Sequence, residues 1–193
     1  MFLPNDVINL ILSLLPEFEL LEWIDIKCLN WNTLCSNINA IQLLDPSKIN
    51  WSYLSRNPAA IHLLEQNQDK INWSWLSRNP AAIHLLEKNS SKINWYHLSC
   101  NPAAIHLLEQ NPDKIDWYFL SSNPAAIQLL EQNPTKIDWD VVSRNPAAIQ
   151  LLKRNPVKIF WFYLSQNPNI FQQVPKQTLT AILQNITLLN LCE

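Results

Sequence analysis

Apolar positions in this chain follow a short helical rhythm that is interrupted and resumed many times. In the stretch 101–121, Ala104 and Leu108 lie four apart and Ile105 and Leu108 three apart, which draws one apolar stripe along a helix of two to three turns. Asn101-Pro102 opens that helix: the Asn side chain accepts from first-turn amides, and Pro pre-sets the backbone where no amide is needed. Asn111-Pro112-Asp113-Lys114 follows as a turn or as the start of a second helix. Asp116, which is Asn at positions 50, 72 and 94, then caps 117–121, where Trp117 and Leu120 share a face. The pattern predicts helix, turn, short helix, turn.

The same words return every 22 residues, with Asn-Pro-Ala-Ala-Ile at Asn57, Asn79, Asn101, Asn123 and Asn145 and a worn copy at Asn167. The companion tryptophan recurs at Trp51, Trp73, Trp95, Trp117, Trp139 and Trp161. A fixed period of this size predicts a solenoid. One unit is too short to bury its stripe alone, so each must stack on the next and the ends need polar caps. The expected fold is all-α: an elongated right- or left-handed α-solenoid of about six helix-turn-helix repeats. A β-solenoid is the rival, but its tight coils call for glycine, and this chain has none. The expected divisions are a helical N-terminal segment over 1–36, repeats over 37–172, and a capping helix over 173–193. That last helix places Leu179, Ile182, Leu183 and Ile186 on one side.

The first residues differ in wording from the repeats. Leu3-Pro4 opens a capped helix carrying Ile11, Leu12 and Leu15; Pro16 breaks it; Leu20-Leu21 and Ile26 follow, then Trp31 and Leu34. This spacing resembles an F-box over about one sixth of the chain. These helices equally meet a solenoid's need for an end cap. The two roles are compatible, because Trp31 to Asn37 already has the repeat's spacing, and its connector, Asp45-Pro46-Ser47-Lys48, is merely two residues shorter. The repeats themselves resemble the Asn-Pro-rich, Trp-containing repeats encoded in many copies by giant DNA viruses. By implication, the F-box-like residues Leu3, Pro4, Ile11, Leu12, Leu15, Pro16, Leu20, Leu21 and Trp31 would engage a host Skp-type adaptor of a cullin–RING ubiquitin ligase. The repeats would then hold the ubiquitination substrate in the host cytoplasm.

Composition narrows the partners. The net charge of −2, with both signs mixed inside each repeat, leaves no basic stripe for phosphates, so nucleic acid is not favoured. No run of 18 apolar residues predicts a membrane helix, and the N-terminus does not read as a signal peptide. Cys28, Cys35, Cys100 and Cys192 form neither a metal spacing nor a disulfide framework, which fits a reducing, intracellular compartment.

Stacking turns equivalent residues into rows. Gln42, His62, His84, His106, Gln128, Gln150 and Gln172 form one. RNA-reading repeats use such a row, but here no stacking pairs or basic track accompany it, so a polar helix edge is expected. Zinc is not expected of histidines held on separate rigid units. Glu65, Glu87, Glu109 and Glu131 could pair with the row Lys70, Lys92, Lys114 and Lys136.

The candidate substrate-binding residues are those that change while their neighbours do not: Tyr53, Trp75, Tyr96, His97, Tyr118, Phe119, Phe162 and Tyr163, with Arg56, Arg78 and Arg144 beyond them. Aromatic and Arg side chains on a surface are what binding hot spots are made of. The alternative is that the second member of each pair packs between repeats and tolerates any large side chain. Without glycine there is no phosphate-cradling loop or nucleophile elbow, so no catalytic residue, cofactor or metal is expected. A protein-binding adaptor is the expected function, with a structural scaffold of a virus particle as the alternative.

Overall fold

The structure is a computed structural model that describes residues 19–171, and every regular element among those residues is helical. The chain divides into two compact units, Met1–Asp116 and Trp117–Glu193. The break falls inside the run of repeats, and the same brick builds both units.

That brick is best followed from Asn72. Its side chain accepts from the Trp75 amide at 3.2 Å and starts the short helix Trp73–Leu76, the Trp helix of the repeat. Asn79 then accepts from the Ala81 amide at 3.0 Å and opens a 3-10 turn, Pro80–Ala82. The turn runs directly into the helix Ile83–Lys88, the Ile helix. The single helix expected after Asn-Pro is therefore a tight turn followed by an α-helix. With the Asn side chain holding Ala81 and Pro supplying no N–H, the Ala82 amide closes on the Asn79 carbonyl at 3.1 Å, an i→i+3 bond. The stretch 90–92 is a second 3-10 turn, and extended Ile93 leads to the next Trp helix.

The two Asn positions of the repeat, alike in sequence, do opposite jobs. Asn67, Asn89, Asn111, Asn133 and Asn155 reach backwards, donating to Leu63, Leu85, Leu107, Leu129 and Leu151 carbonyls at 2.8–2.9 Å. They close the C-terminus of the Ile helix, where carbonyls would otherwise lack partners. In the shorter first connector Asp45 takes a different role. It accepts from the Ser47 amide and hydroxyl, and these bonds hold its carboxyl below the usual carboxylate range.

The other Asn joins the repeats. In the first unit, Asn79 Nδ2 donates to the Ser55 and Asn57 carbonyls of the preceding repeat, both at 3.1 Å. Asn101 bonds Ser77 and Asn79 in the same way, and Asn57 bonds Cys35 and Asn37. In the second unit Asn145 reaches Ser121 and Asn123, and Asn167 reaches Ser143 and Asn145. These side chains are almost wholly buried, and each amide spends both N–H groups and its oxygen.

A serine row runs alongside. Ser55 Oγ donates to the Trp51 carbonyl at 2.7 Å and accepts from the Asn72 amide at 3.0 Å; Ser77, Ser121 and Ser143 repeat the arrangement. At the front of the row stands Cys35, wholly buried, whose Sγ accepts from the Asn50 amide at 3.4 Å. Helix Trp31–Cys35 is therefore already a Trp helix of the repeat, capped by Asn30.

Around these bonds lies the apolar core. Leu54, Leu64, Leu76, Leu86, Leu98 and Leu108 are fully buried in the first unit with Ala60, Ala82 and Ala104; Leu120, Leu130, Val142, Ala126 and Ala148 fill the second. The tryptophans of the period stay on the rim, half-buried, and Trp161 is exposed. Of the F-box-like residues, Leu3, Pro4, Ile11, Leu12, Leu15 and Pro16 lie outside the described residues, as does the expected C-terminal helix; Leu20 is half-buried and Leu21 exposed.

Replacing Asn79 by Ala leaves the Ser55 carbonyl and the Ala81 amide without this partner and removes one of the two bonds to the Asn57 carbonyl, which keeps the Ala60 amide. Asn79→Ala is expected to lower stability in urea denaturation by about 3 kcal/mol or more. Asn67→Ala, which removes one half-buried bond, is expected to cost about 1 kcal/mol.

Candidate protein-interaction surface

The rows expected from the sequence find different partners from those expected. Instead of pairing with lysines, Glu65 and Glu87 meet the next repeat's His84 and His106, at 2.7 and 3.0 Å. In the second unit Glu131 pairs with Arg154. These pairs are solvent-exposed and each contributes about 0–1 kcal/mol. The lysines fold back over the preceding repeat's indoles: Lys48 over Trp31, Lys70 over Trp51, Lys92 over Trp73 and Lys114 over Trp95, at 4.4–4.8 Å from the ring centroids. An ammonium on an indole face satisfies the ring's quadrupole and shields a half-buried surface. The Lys–Trp offset was legible in the sequence as an interval of 19 residues, shortened to 17 by the first connector, yet nothing short of the packing marks it as a contact.

The drifting pairs separate into two kinds. The first members of the later pairs, Tyr96, Tyr118, Asp140 and Phe162, point outward. The second members pack along the stack: Trp75, His97, Phe119 and Tyr163 are half-buried and Val141 is 2% exposed. Tyr53 departs from this and is exposed. The first members of the later pairs thus lie on the surface, while the second members, Tyr53 apart, pack between repeats.

In the first unit a continuous aromatic and cationic row results. The Arg56 guanidinium lies 4.7 Å from the Trp75 ring centroid, Trp75 stacks on His97 at 5.1 Å with planes 14° apart, and Tyr96 meets His97 edge-on at 5.1 Å. His97 is further fixed by Nδ1, which lies 2.9 Å from both the Ser74 hydroxyl and the Ser74 carbonyl. Arg78 is exposed one repeat beyond Arg56. A recess of about 140 Å3 opens beside this row, lined by Ser52, Tyr53, Arg56 and Trp75.

The second unit carries its own cluster. Tyr118 meets Phe119 edge-on at 5.1 Å. Phe160 contacts Phe162 and Tyr163 at 6.2 and 5.1 Å, and Arg144 lies 5.3 Å from the Tyr163 centroid. Sequence reasoning missed Phe160, which stands where the other repeats have their Asn or Asp cap and makes no side-chain cap bond. Its signal was that very replacement of a capping residue by an apolar one. Ser52, on the recess wall, stands at one of the drifting positions but was not among the candidate binding residues.

Among the described residues no group of acidic, His or Cys side chains is arranged to hold a metal, and no helix is long and apolar enough to cross a membrane. Comparison with known protein families, curated proteins and solved structures finds no match.

The cysteines differ in surroundings. Cys28 is exposed, Cys35 is buried in the serine row, and burial pushes the half-buried Cys100 thiol up, against the pull of Arg78. A raised thiol holds less reactive thiolate at neutral pH. Alkylation of the folded protein with iodoacetamide, followed by mass spectrometry, is expected to label Cys28 first, Cys100 more slowly and Cys35 only on unfolding.

Proposed function

We propose that this chain is a non-enzymatic protein-binding adaptor in which the varying aromatic and Arg row holds a substrate. Its N-terminal segment engages a Skp-type adaptor of a cullin–RING ubiquitin ligase in the host cytoplasm. The observation that carries the substrate-binding half is a division of labour within each brick. The Asn, Ser, Leu and Ala positions that bond or pack neighbours are nearly the same from repeat to repeat. The other positions of the Trp helix change, and Tyr, Trp and Arg, the residue types enriched at binding hot spots, recur among them beside Ser, Asp, Val, Cys and Gln.

The adaptor half rests on the F-box-like order of Leu3, Pro4, Leu15, Leu20, Leu21 and Trp31. In its favour, Trp31 sits in a helix that takes part in the first repeat junction through Cys35, so a partner docked on the N-terminal segment would be held rigidly against the stack.

Pull-down from host lysate is expected to recover the Skp-type adaptor with the intact chain and to lose it with Leu3→Ala/Pro4→Ala/Leu15→Ala combined. The aromatic variant Trp75→Ala is expected to retain the adaptor while losing substrate. Stoichiometric abundance of the chain in purified virus particles, with no adaptor recovered, would instead assign it the role of a scaffold.

A further inference from the structure

In the first unit the carboxylates of the repeats lie outside the Trp helices. The stretches 51–56, 73–78 and 95–100 carry Arg56, Arg78 and His97 and no carboxylate. The Ile helices and the turns after them carry Glu65, Asp69, Glu87, Glu109 and Asp113 together with Lys70, Lys88, Lys92 and Lys114. The side that presents the varying aromatics is therefore cationic, although the chain as a whole has a net charge of −2.

The recess lies on that side. At about 140 Å3 it has room for one short side chain or one small ring, since a cavity of about 150 Å3 takes up benzene. Tyr53 and Trp75 supply aromatic walls, and Ser52 and Arg56 supply polar groups. Arg56 rests its flat face on Trp75, which leaves the N–H donors of the guanidinium in the plane and at the edge. Among the described residues, neither that guanidinium nor the Tyr53 phenol has a hydrogen-bond or ion-pair partner. Ser52 Oγ accepts from Asn72 Nδ2 at 3.1 Å, so its own proton is left to donate. Three donor groups thus border one recess, one of them permanently charged.

We propose that this recess receives the carboxylate side chain of an extended acidic segment in a partner protein. Arg56 and the two hydroxyls donate to the carboxylate oxygens, and the methylene stem rests on the Tyr53 and Trp75 rings. Arg78 and His97, one repeat on, continue the same cationic and aromatic track along the partner. The inference rests on the row being the docking surface, and it adds the chemistry of what docks. A stacked, pre-oriented guanidinium suits this task because its fork matches a carboxylate, and holding it on the indole removes part of the entropy lost on binding.

The test uses the intact chain, immobilised, and pools of short peptides with a central Glu between flanks drawn from Ala, Leu, Pro and Ser. Parallel pools carry Gln or phosphoserine at the centre, and oligo-dT serves as a nucleic-acid probe. The Glu pool is expected to be retained over the Gln pool. Arg56→Gln is expected to weaken that retention about tenfold or more and Tyr53→Phe about threefold, with Arg56→Lys restoring only part. Lys88→Gln makes the same charge change on the Ile helix and is expected to alter retention by less than about twofold. An unchanged urea midpoint for Tyr53→Phe separates its effect from unfolding should Arg56→Gln be destabilised. Equal retention of the Glu and Gln pools, retention of neither, or equal loss in Lys88→Gln would overturn the proposal. So would a preference for phosphoserine with Glu ignored, or retention of oligo-dT alone. An adaptor pull-down that still succeeds while the Glu pool is never retained would remove the acidic-segment site and leave the adaptor assignment standing.

Discussion

A primary amide buried between two repeats has two N–H donors and an acceptor oxygen to satisfy and no water to help, and Asn57, Asn79, Asn101, Asn145 and Asn167 meet that demand through both their own repeat and the one before it. Asn79 caps its own turn through Oδ1 and clamps the Ser55 and Asn57 carbonyls through Nδ2. A charge cannot do this, and a shorter or longer side chain cannot reach all three groups. The bonds lie where Leu and Ala exclude water, so breaking one leaves buried polar groups exposed to nothing. The junction therefore tolerates little variation in distance or rotation. The serine row adds a second constraint parallel to the first, and Cys35 shows that the row accepts a thiol at its first position.

With the junction held by backbone-directed bonds, the remaining surface of the Trp helix is released from structural duty. Its second variable residue still packs against neighbours, which is why Val, Phe, His and Trp alternate there and why a small polar residue does not appear. Its first variable residue faces solvent and can become Tyr, Asp or Phe without disturbing the stack. The same logic explains the Lys–Trp and Glu–His rows. They lie on the exposed rim, contribute modestly, and can be replaced, as Arg154 replaces a histidine partner for Glu131.

Much of the architecture was open to inspection in the chain itself. The interval between Asn-Pro pairs, the three- and four-residue spacing of Ile and Leu, and the absence of glycine together specify a helical repeat and exclude tight β-coils, because they are statements about local backbone geometry and about which faces must be buried. The capping roles of Asn50, Asn72 and Asn94 followed from the same local rules and are realised. The N-terminal resemblance concerns residues largely outside the described part of the molecule, and its consequences remain with the proposed function.

Partnership across the junction could not be read in the same way. Two asparagines before two prolines look alike in the chain, yet Asn101 reaches into the previous repeat and Asn111 turns back on its own helix; only the path of the neighbouring backbone distinguishes them. Glu65 had a lysine five residues on in sequence, but stacking brings His84 closer and sends Lys70 to Trp51. The recess beside Arg56 likewise exists only because consecutive Trp helices place Ser52 and Tyr53 next to Trp75 of the following repeat. Local chemistry chooses the helices and their ends, whereas contacts between side chains distant along the chain depend on how bricks are set against one another, and that is determined by packing in three dimensions.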